Sequence, residues 1–192
     1  CIPNLDVKIC ASHAGVTVGE DGKSHQMLED IALMRVLPHM TVVVPADAPQ
    51  TEKAVRAIAD TPGPCYLRTS RMATPAVTSE DDEFVLGRAD RLVDGTDITL
   101  VACGVLVSEA VRAAGILAEH GISAAVQNHH TIKPLDTGAL EDAARATGLI
   151  LTCEEHQIAG GLGSAVCEAL ASRFPVPIER LGMQDRFGES GP

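Results

Sequence analysis

The sequence predicts an α/β chain built as two three-layer α/β/α blocks, each with a mostly parallel sheet. Three observations predict it. Short apolar runs alternate with longer segments that carry apolar residues at helical spacing, and the connections between them are short; this is the pattern of parallel strands joined by crossover helices. The alternation breaks once, at residues 69–83, where Ser, Thr, Pro and acidic residues replace the periodic pattern. The apolar residues, 45% of the chain, are almost all aliphatic, with aromatics at 2% and no Trp, which suits buried strands packed closely on helices.

The elements follow in order. Residues 7–11 (VKICA) read as a strand, and a loop with Gly15, Gly19 and Gly22 follows. Ser24 offers an N-cap, so residues 25–36 read as a helix with Leu28, Ile31 and Ala32 inward, ended by Pro38. Residues 41–44 (TVVV) read as a buried strand closed by Pro45. Residues 49–60 read as a second helix, broken by Pro62-Gly63-Pro64, and residues 65–68 (CYLR) as a strand. The stretch without periodicity reads as an interdomain linker. The chain then divides into a first block (1–75), a linker (76–84) and a second block (85–192). In the second block, residues 84–94 hold one or two short strands, and strands are expected at 99–102, 123–127, 149–153 and 176–181. Helices are expected at 107–119, 137–147 and 162–174; in the first of these Val107, Ala110, Val111, Ala114, Leu117 and Ala118 fall on one face.

Charge and cysteine usage narrow the function. A net charge of −11 repels phosphate backbones and anionic lipid, so neither nucleic acid nor a membrane is an expected partner. A small phosphorylated substrate stays possible, because a few local cations can bind one in a cleft. The six Cys form no C-x-x-C pair, and Cys10, Cys65, Cys103 and Cys153 sit in strand-like runs; they read as buried free thiols in a reducing cytoplasm. No apolar run approaches the ~20 residues that span a bilayer, and no signal peptide is visible. The chain starts at Cys1 without a Met and is expected to be a fragment of a longer protein.

The chemistry concentrates in residues 12–26, SHAGVTVGEDGKSHQ, between a strand and a helix. Ligands of open α/β sheets bind outside the carboxyl ends of strands, so the loop is well placed. It carries His13 and His25, Glu20 and Asp21, and glycines that let backbone approach a ligand. In the first turn of the expected helix, His25 would be kept neutral by the helix dipole and could accept a proton. By composition alone, a tight solvated connection is an equal reading. His129 and His130 are adjacent, and neighbours on an extended segment point to opposite faces, so they read as a solvated pair rather than a metal site. The glycines at 160, 161 and 163 precede a helix but lack the order of a nucleotide fingerprint, so packing is favoured over phosphate binding.

Two ordered stretches carry a resemblance. They are Gly19-Glu20-Asp21-Gly22-Lys23-Ser24-His25-Gln26, and Leu37-Pro38-His39-Met40-Thr41-Val42-Val43-Val44-Pro45-Ala46-Asp47. With Tyr66-Leu67-Arg68-Thr69-Ser70-Arg71, His130-Thr131-Ile132-Lys133-Pro134-Leu135-Asp136 and Glu154-Glu155-His156, the chain resembles the transketolase family, most of all the C-terminal subunit of its split, two-gene form. Lys23 stands where single-chain transketolases commonly carry Pro. The resemblance implies that residues 1–75 are the C-terminal part of a pyrimidine-binding domain for thiamine diphosphate, and 85–192 the family's C-terminal domain. It implies transfer of a two-carbon ketol unit between sugar phosphates, with His25 moving protons, Asp21 reading a sugar hydroxyl, and His13 and Arg71 holding the substrate phosphate. It also implies Mg²⁺ or Ca²⁺ on a partner domain, with the main cofactor residues and the activating Glu upstream of Cys1. The isolated chain would then be inactive, and an N-terminal transketolase subunit and a second copy across the active site would be required, as a heterotetramer. Other implied readings are a 1-deoxy-D-xylulose-5-phosphate synthase, the β subunit of a 2-oxoacid dehydrogenase, and a non-catalytic dimerisation or regulatory fragment.

Overall fold

The computed structural model describes residues 1–191. The first sheet holds β1 (Lys8–Ala11), β2 (Thr41–Val43) and β3 (Cys65–Arg68), with β3 parallel to both neighbours. Helices α1 (Asp30–Arg35) and α2 (Ala48–Asp60) connect them. The second sheet holds β4 (Asp90–Val93), β5 (Ile98–Ala102), β6 (Ala124–Asn128), β8 (Ile150–Gln157) and β9 (Ile178–Met183). Its order is β4-β6-β5-β8-β9, all parallel except the edge strand β4. Helices α3 (Leu106–Glu119), α4 (Thr137–Thr147) and α5 (Leu162–Ala171) join its strands.

The two blocks are not separate. The strand β7 (Thr131–Lys133), which the sequence pattern does not predict, leaves the second block and pairs antiparallel with β2, giving the first sheet the order β1-β3-β2-β7. Three residues with a Thr and a Lys carry too little pattern to announce a strand. The core runs through both blocks as a consequence. Ile31, Met40, Val42, Val44 and Tyr66 pack in one cluster with Val101, Cys103, Leu140, Ile150 and Leu162.

Caps explain where the helices begin. Asp47 accepts from the Gln50 N–H ahead of α2, and Asp136 accepts from the Ala139 N–H ahead of α4. Gly148, at φ 67, ends α4 in the left-handed conformation that glycine adopts without strain. The second carboxyl oxygen of Asp47 accepts from the N–H groups of Val77 and Thr78, tying the irregular stretch 69–89 to the first block.

Cys65, Cys103 and Cys153 are buried free thiols, and burial pushes the Cys153 thiol up to about 11. Cys10 is exposed, against expectation, because β1 is an edge strand and its outer face is open. The pair His129 and His130 is fully buried rather than solvated. The His129 ring meets Gln127 Oε1 at 3.0 Å, and the His130 ring lies 4.3 Å from the Phe84 ring centroid. Burial lowers both imidazoles to about 4.

Candidate functional site

Residues 16–24 do not lead into a helix. They coil as 3-10 turns broken at Gly19 (φ 75, ψ −119) and Gly22 (φ 65, ψ −164), backbone geometry that glycine accommodates and other residues resist. The following helix, α1, starts only at Asp30. The expected helix from residue 25 with a Ser24 cap is therefore corrected: His25 lies at the C-terminal end of the 3-10 segment, where its N–H donates to Gly22 O, and not in the first turn of a helix. The Ser24 hydroxyl instead lies 2.9 Å from His25 Nδ1.

One short parallel bridge organises the site. Ala14 pairs with Met27, and Gly15 N–H donates to Met27 O at 2.9 Å. Ala14 N–H donates to Thr69 O at 3.2 Å. The bridge sets the chain around His13 beside the chain around His25, and Thr69 brings the segment of Arg71 to the same carboxyl edge of β1 and β3. His13, Asp21, His25 and Arg71 are all exposed. Arg71 Nη1 donates to Asp21 Oδ2 and to Val18 O, both at 2.9 Å, so its partner is the loop acid and not the acidic stretch 80–83. His13 holds φ 66, rare for a residue with a side chain, and its Nδ1 meets Ser12 Oγ at 2.9 Å. In both His13 and His25 the nearby serine engages Nδ1 and leaves Nε2 for a ligand. A cavity of about 520 Å³ lies nearby, bordered by Asp47, Arg68, Thr69, Gly104 and Glu155. None of the four sequence-predicted residues lines it.

Beneath the loop is a buried ion pair. Arg68 Nε donates to Asp30 Oδ2 at 2.8 Å, and the Tyr66 hydroxyl donates to the same oxygen at 2.8 Å. Arg68 Nη2 donates to Glu155 O at 2.7 Å, so this arginine locks β3 to α1 and β8.

Comparison with known proteins matches residues 1–77 to the pyrimidine-binding domain of transketolase and residues 87–192 to the transketolase C-terminal domain. The chain belongs to the transketolase family. It is 46% identical over 181 residues to one subunit of an apulose-4-phosphate transketolase of Phocaeicola vulgatus, covering 94% of this chain and 58% of the relative. It is 43% identical over 187 residues to a 6-deoxy-6-sulfo-D-fructose transketolase subunit of Clostridium sp. (strain MSTE9), covering 97% and 58%. Among solved structures it is similar to one described as a split gene transketolase, inactive beta4 tetramer, with a TM-score of 0.91 and 46% identity over 96% of this chain and 60% of that one. The chain thus spans about three fifths of the length of these relatives.

The transketolase family depends on thiamine diphosphate, and the metal that accompanies a diphosphate needs a cluster of ligands. Among the described residues no group of three or more His, Cys, Asp or Glu side chains comes together for one. Phosphate has no opening at the N-terminus of α5 either. The buried Glu154 carboxylate already accepts from the Leu162 N–H at 2.6 Å and the Gly163 N–H at 2.8 Å.

Sequence reasoning missed three participants in the site. They are Glu155, which accepts from the Thr17 N–H; Gln26, whose Nε2 donates to Val16 O and Glu189 O; and the tail segment, where Ser190 Oγ lies against Gly22. The signal for Glu155 was present, since paired acids in an apolar strand need partners.

Proposed function

We propose that this chain is the C-terminal part of a thiamine-diphosphate-dependent transketolase that transfers a two-carbon ketol unit between sugar phosphates. In this reading residues 1–75 complete a pyrimidine-binding domain, 76–84 link, and 85–192 form the C-terminal domain. The active assembly includes an N-terminal transketolase subunit and a second copy of this chain across the site, and the isolated chain is inactive. The thiamine ring, when bound, carries the two-carbon unit; Mg²⁺ or Ca²⁺ and the diphosphate are held by the partner domain. The six free thiols support a reducing, cytoplasmic setting. Among the described residues no helix is long and apolar enough to cross a membrane.

What supports the reading is that the Ala14–Met27 bridge sets the backbone around His13 beside that around His25, while the Arg71–Asp21 ion pair ties the segment after β3 to the same loop. In this reading His25 holds and moves a proton at the oxygens of the reacting carbon through Nε2. Asp21 reads a hydroxyl next to the carbonyl. His13 and Arg71 hold the phosphate at the far end. Arg71 commits Nη1 to Asp21 and Val18, which leaves Nε and Nη2 for phosphate oxygens in a planar, charge-assisted contact. That phosphate is the substrate's own feature, and the apulose-4-phosphate acted on by one relative supports it.

The test is direct. The full-length subunit is assembled with its N-terminal partner, and transfer from xylulose 5-phosphate to ribose 5-phosphate is followed with thiamine diphosphate and Mg²⁺. Product formation by the pair and none by this chain alone is expected. Consumption of pyruvate in place of a ketose phosphate would move the assignment to the synthase or dehydrogenase branch.

A further inference from the structure

Glu155 stands out among the polar side chains beneath the site. It is 6% exposed, on the C-terminal domain's β8, and Oε1 accepts from the Thr17 N–H at the start of the 16–24 coil. Oε2 is buried and has no hydrogen-bond partner among the described residues. The carboxylate fills the space under Gly15, where a Cβ would fall 2.1 Å from Glu155 Cδ and 2.2 Å from Oε2. Gly15 itself holds φ +89, so its backbone is shaped to admit this group. A buried carboxylate with one open oxygen is costly, and an apolar side chain would fill the same volume at less cost. What the carboxylate provides in exchange is a fixed, charge-assisted anchor for one loop amide.

The same strand holds the other end of the loop. Gln157 N–H donates to Leu28 O at 2.9 Å, and Ala32 N–H to His156 Nε2 at 3.3 Å. The segment carrying His13, Asp21 and His25 is therefore stretched across consecutive residues of β8, with Glu155 under its entry and Gln157 under its exit. The exit contact is backbone to backbone and survives any side-chain change. The entry contact depends on the Glu155 side chain.

We propose that Glu155 is a positioning residue. Through the Thr17 N–H and the filled space under Gly15, it fixes the height of the 13–25 loop and hence the points where His13 and His25 present Nε2. The kinetic half of the idea rests on the transketolase reading above; the structural half does not. It gives the C-terminal domain a part in the site although none of the four proposed substrate-facing residues lies in it.

The test uses the full-length subunit assembled with its N-terminal partner, with amide hydrogen exchange and steady-state transfer as parallel readouts. Glu155→Ala is expected to raise exchange of the amides of residues 15–26 by about tenfold or more, the weight of a charge-assisted hydrogen bond, while amides of α3 and α5 keep wild-type rates. It is expected to raise KM for the phosphorylated donor about fivefold or more and to lower kcat, as for a displaced rather than missing group. Glu155→Gln keeps an acceptor of equal reach and is expected to fall between, with exchange up about threefold. Loop exchange equal to wild type in both variants would overturn the proposal. So would a fall in kcat at unchanged KM, which reports fewer folded molecules. If Glu155→Ala does not assemble, Glu155→Gln carries the decision by its exchange alone. A wild-type assembly that transfers no two-carbon unit would sink the transketolase reading and leave the exchange result to judge the anchor.

Discussion

At the residue scale, the proposed roles differ in which kinetic constant they control. In the proposed reading His25 acts on protons at the reacting carbon, so His25→Ala is expected to lower kcat by roughly 10²–10⁴ with little change in KM. Steady-state kinetics of the assembled enzyme checks it. The proposed role of Arg71 is to hold the far phosphate, so Arg71→Ala is expected to raise KM for phosphorylated sugars chiefly; an unchanged KM would remove Arg71 from the site. Its loss also releases Asp21 from the ion pair, so part of the effect is expected in discrimination between hydroxyl stereoisomers. Arg68, three residues away, belongs to a different class. Its partner Asp30 is 1% exposed, and Asp30→Ala would leave a buried guanidinium unpaired, at about 3–5 kcal/mol. Denaturant unfolding is expected to show that loss. His13, Asp21 and His25 were legible as residue types in a glycine-rich loop, and Arg71 through the resemblance, whereas the Asp21–Arg71 pair, 50 positions apart, was not, since no local pattern records a contact across a fold.

At the element scale, the β8–α5 connection shows how a helix N-terminus is used up internally. Glu154 is 3% exposed, and desolvation raises its carboxyl above the usual range, while the Gly163 N–H, His156 and the Leu162 N–H pull the other way. A Cβ at Gly161 would sit 1.9 Å from Glu154 Oε2. Gly161→Ala is expected to push the carboxylate off the helix and to cost about 1–3 kcal/mol, the range for an abandoned buried polar group. Thermal unfolding measures it. The strand itself ran four residues beyond the expected end at residue 153, because Glu154, Glu155 and His156 look like the polar close of a strand. Each is buried with a partner, so polarity there marks internal contacts and not exit to solvent. The helix expected at 25–36 is present but starts only at Asp30, for a related reason. Leu28, Ile31 and Ala32 gave helical spacing, but Gly22 at φ 65 and the Ala14–Met27 bridge hold the preceding residues in another geometry.

At the scale of the whole molecule, the buried junction between the blocks sets the response to acid. His129 and His130 are lowered to about 4 from an ordinary 6.5, first by burial. Between those values the unfolded chain holds protons that the folded chain refuses. Their contribution is therefore complete above the unfolded value and is lost as pH falls towards 4, up to about 3 kcal/mol for each imidazole. Asp90, 3.8 Å from His130, and Glu154 are raised by burial and give the opposite slope in acid. The variant His129→Asn isolates one part. Its urea midpoint is expected to fall less than that of wild type from about pH 7 to about pH 4.5. Equal slopes would mean that His129 takes up no proton on unfolding.

The sequence by itself determined the α/β class, the position of most strands and helices, the irregular connection between the blocks, and the glycine-rich loop that carries three of the candidate site residues. Those features are local: hydrophobic period, glycine and proline placement, and residue type act over a few neighbours. Only the tertiary structure decided that the second block lends β7 to the first sheet, that His129 and His130 are buried, and that Glu155 anchors a loop 138 positions away. Each of these depends on which surfaces meet once apolar faces are buried together, and that is a property of the packed chain rather than of any stretch of it.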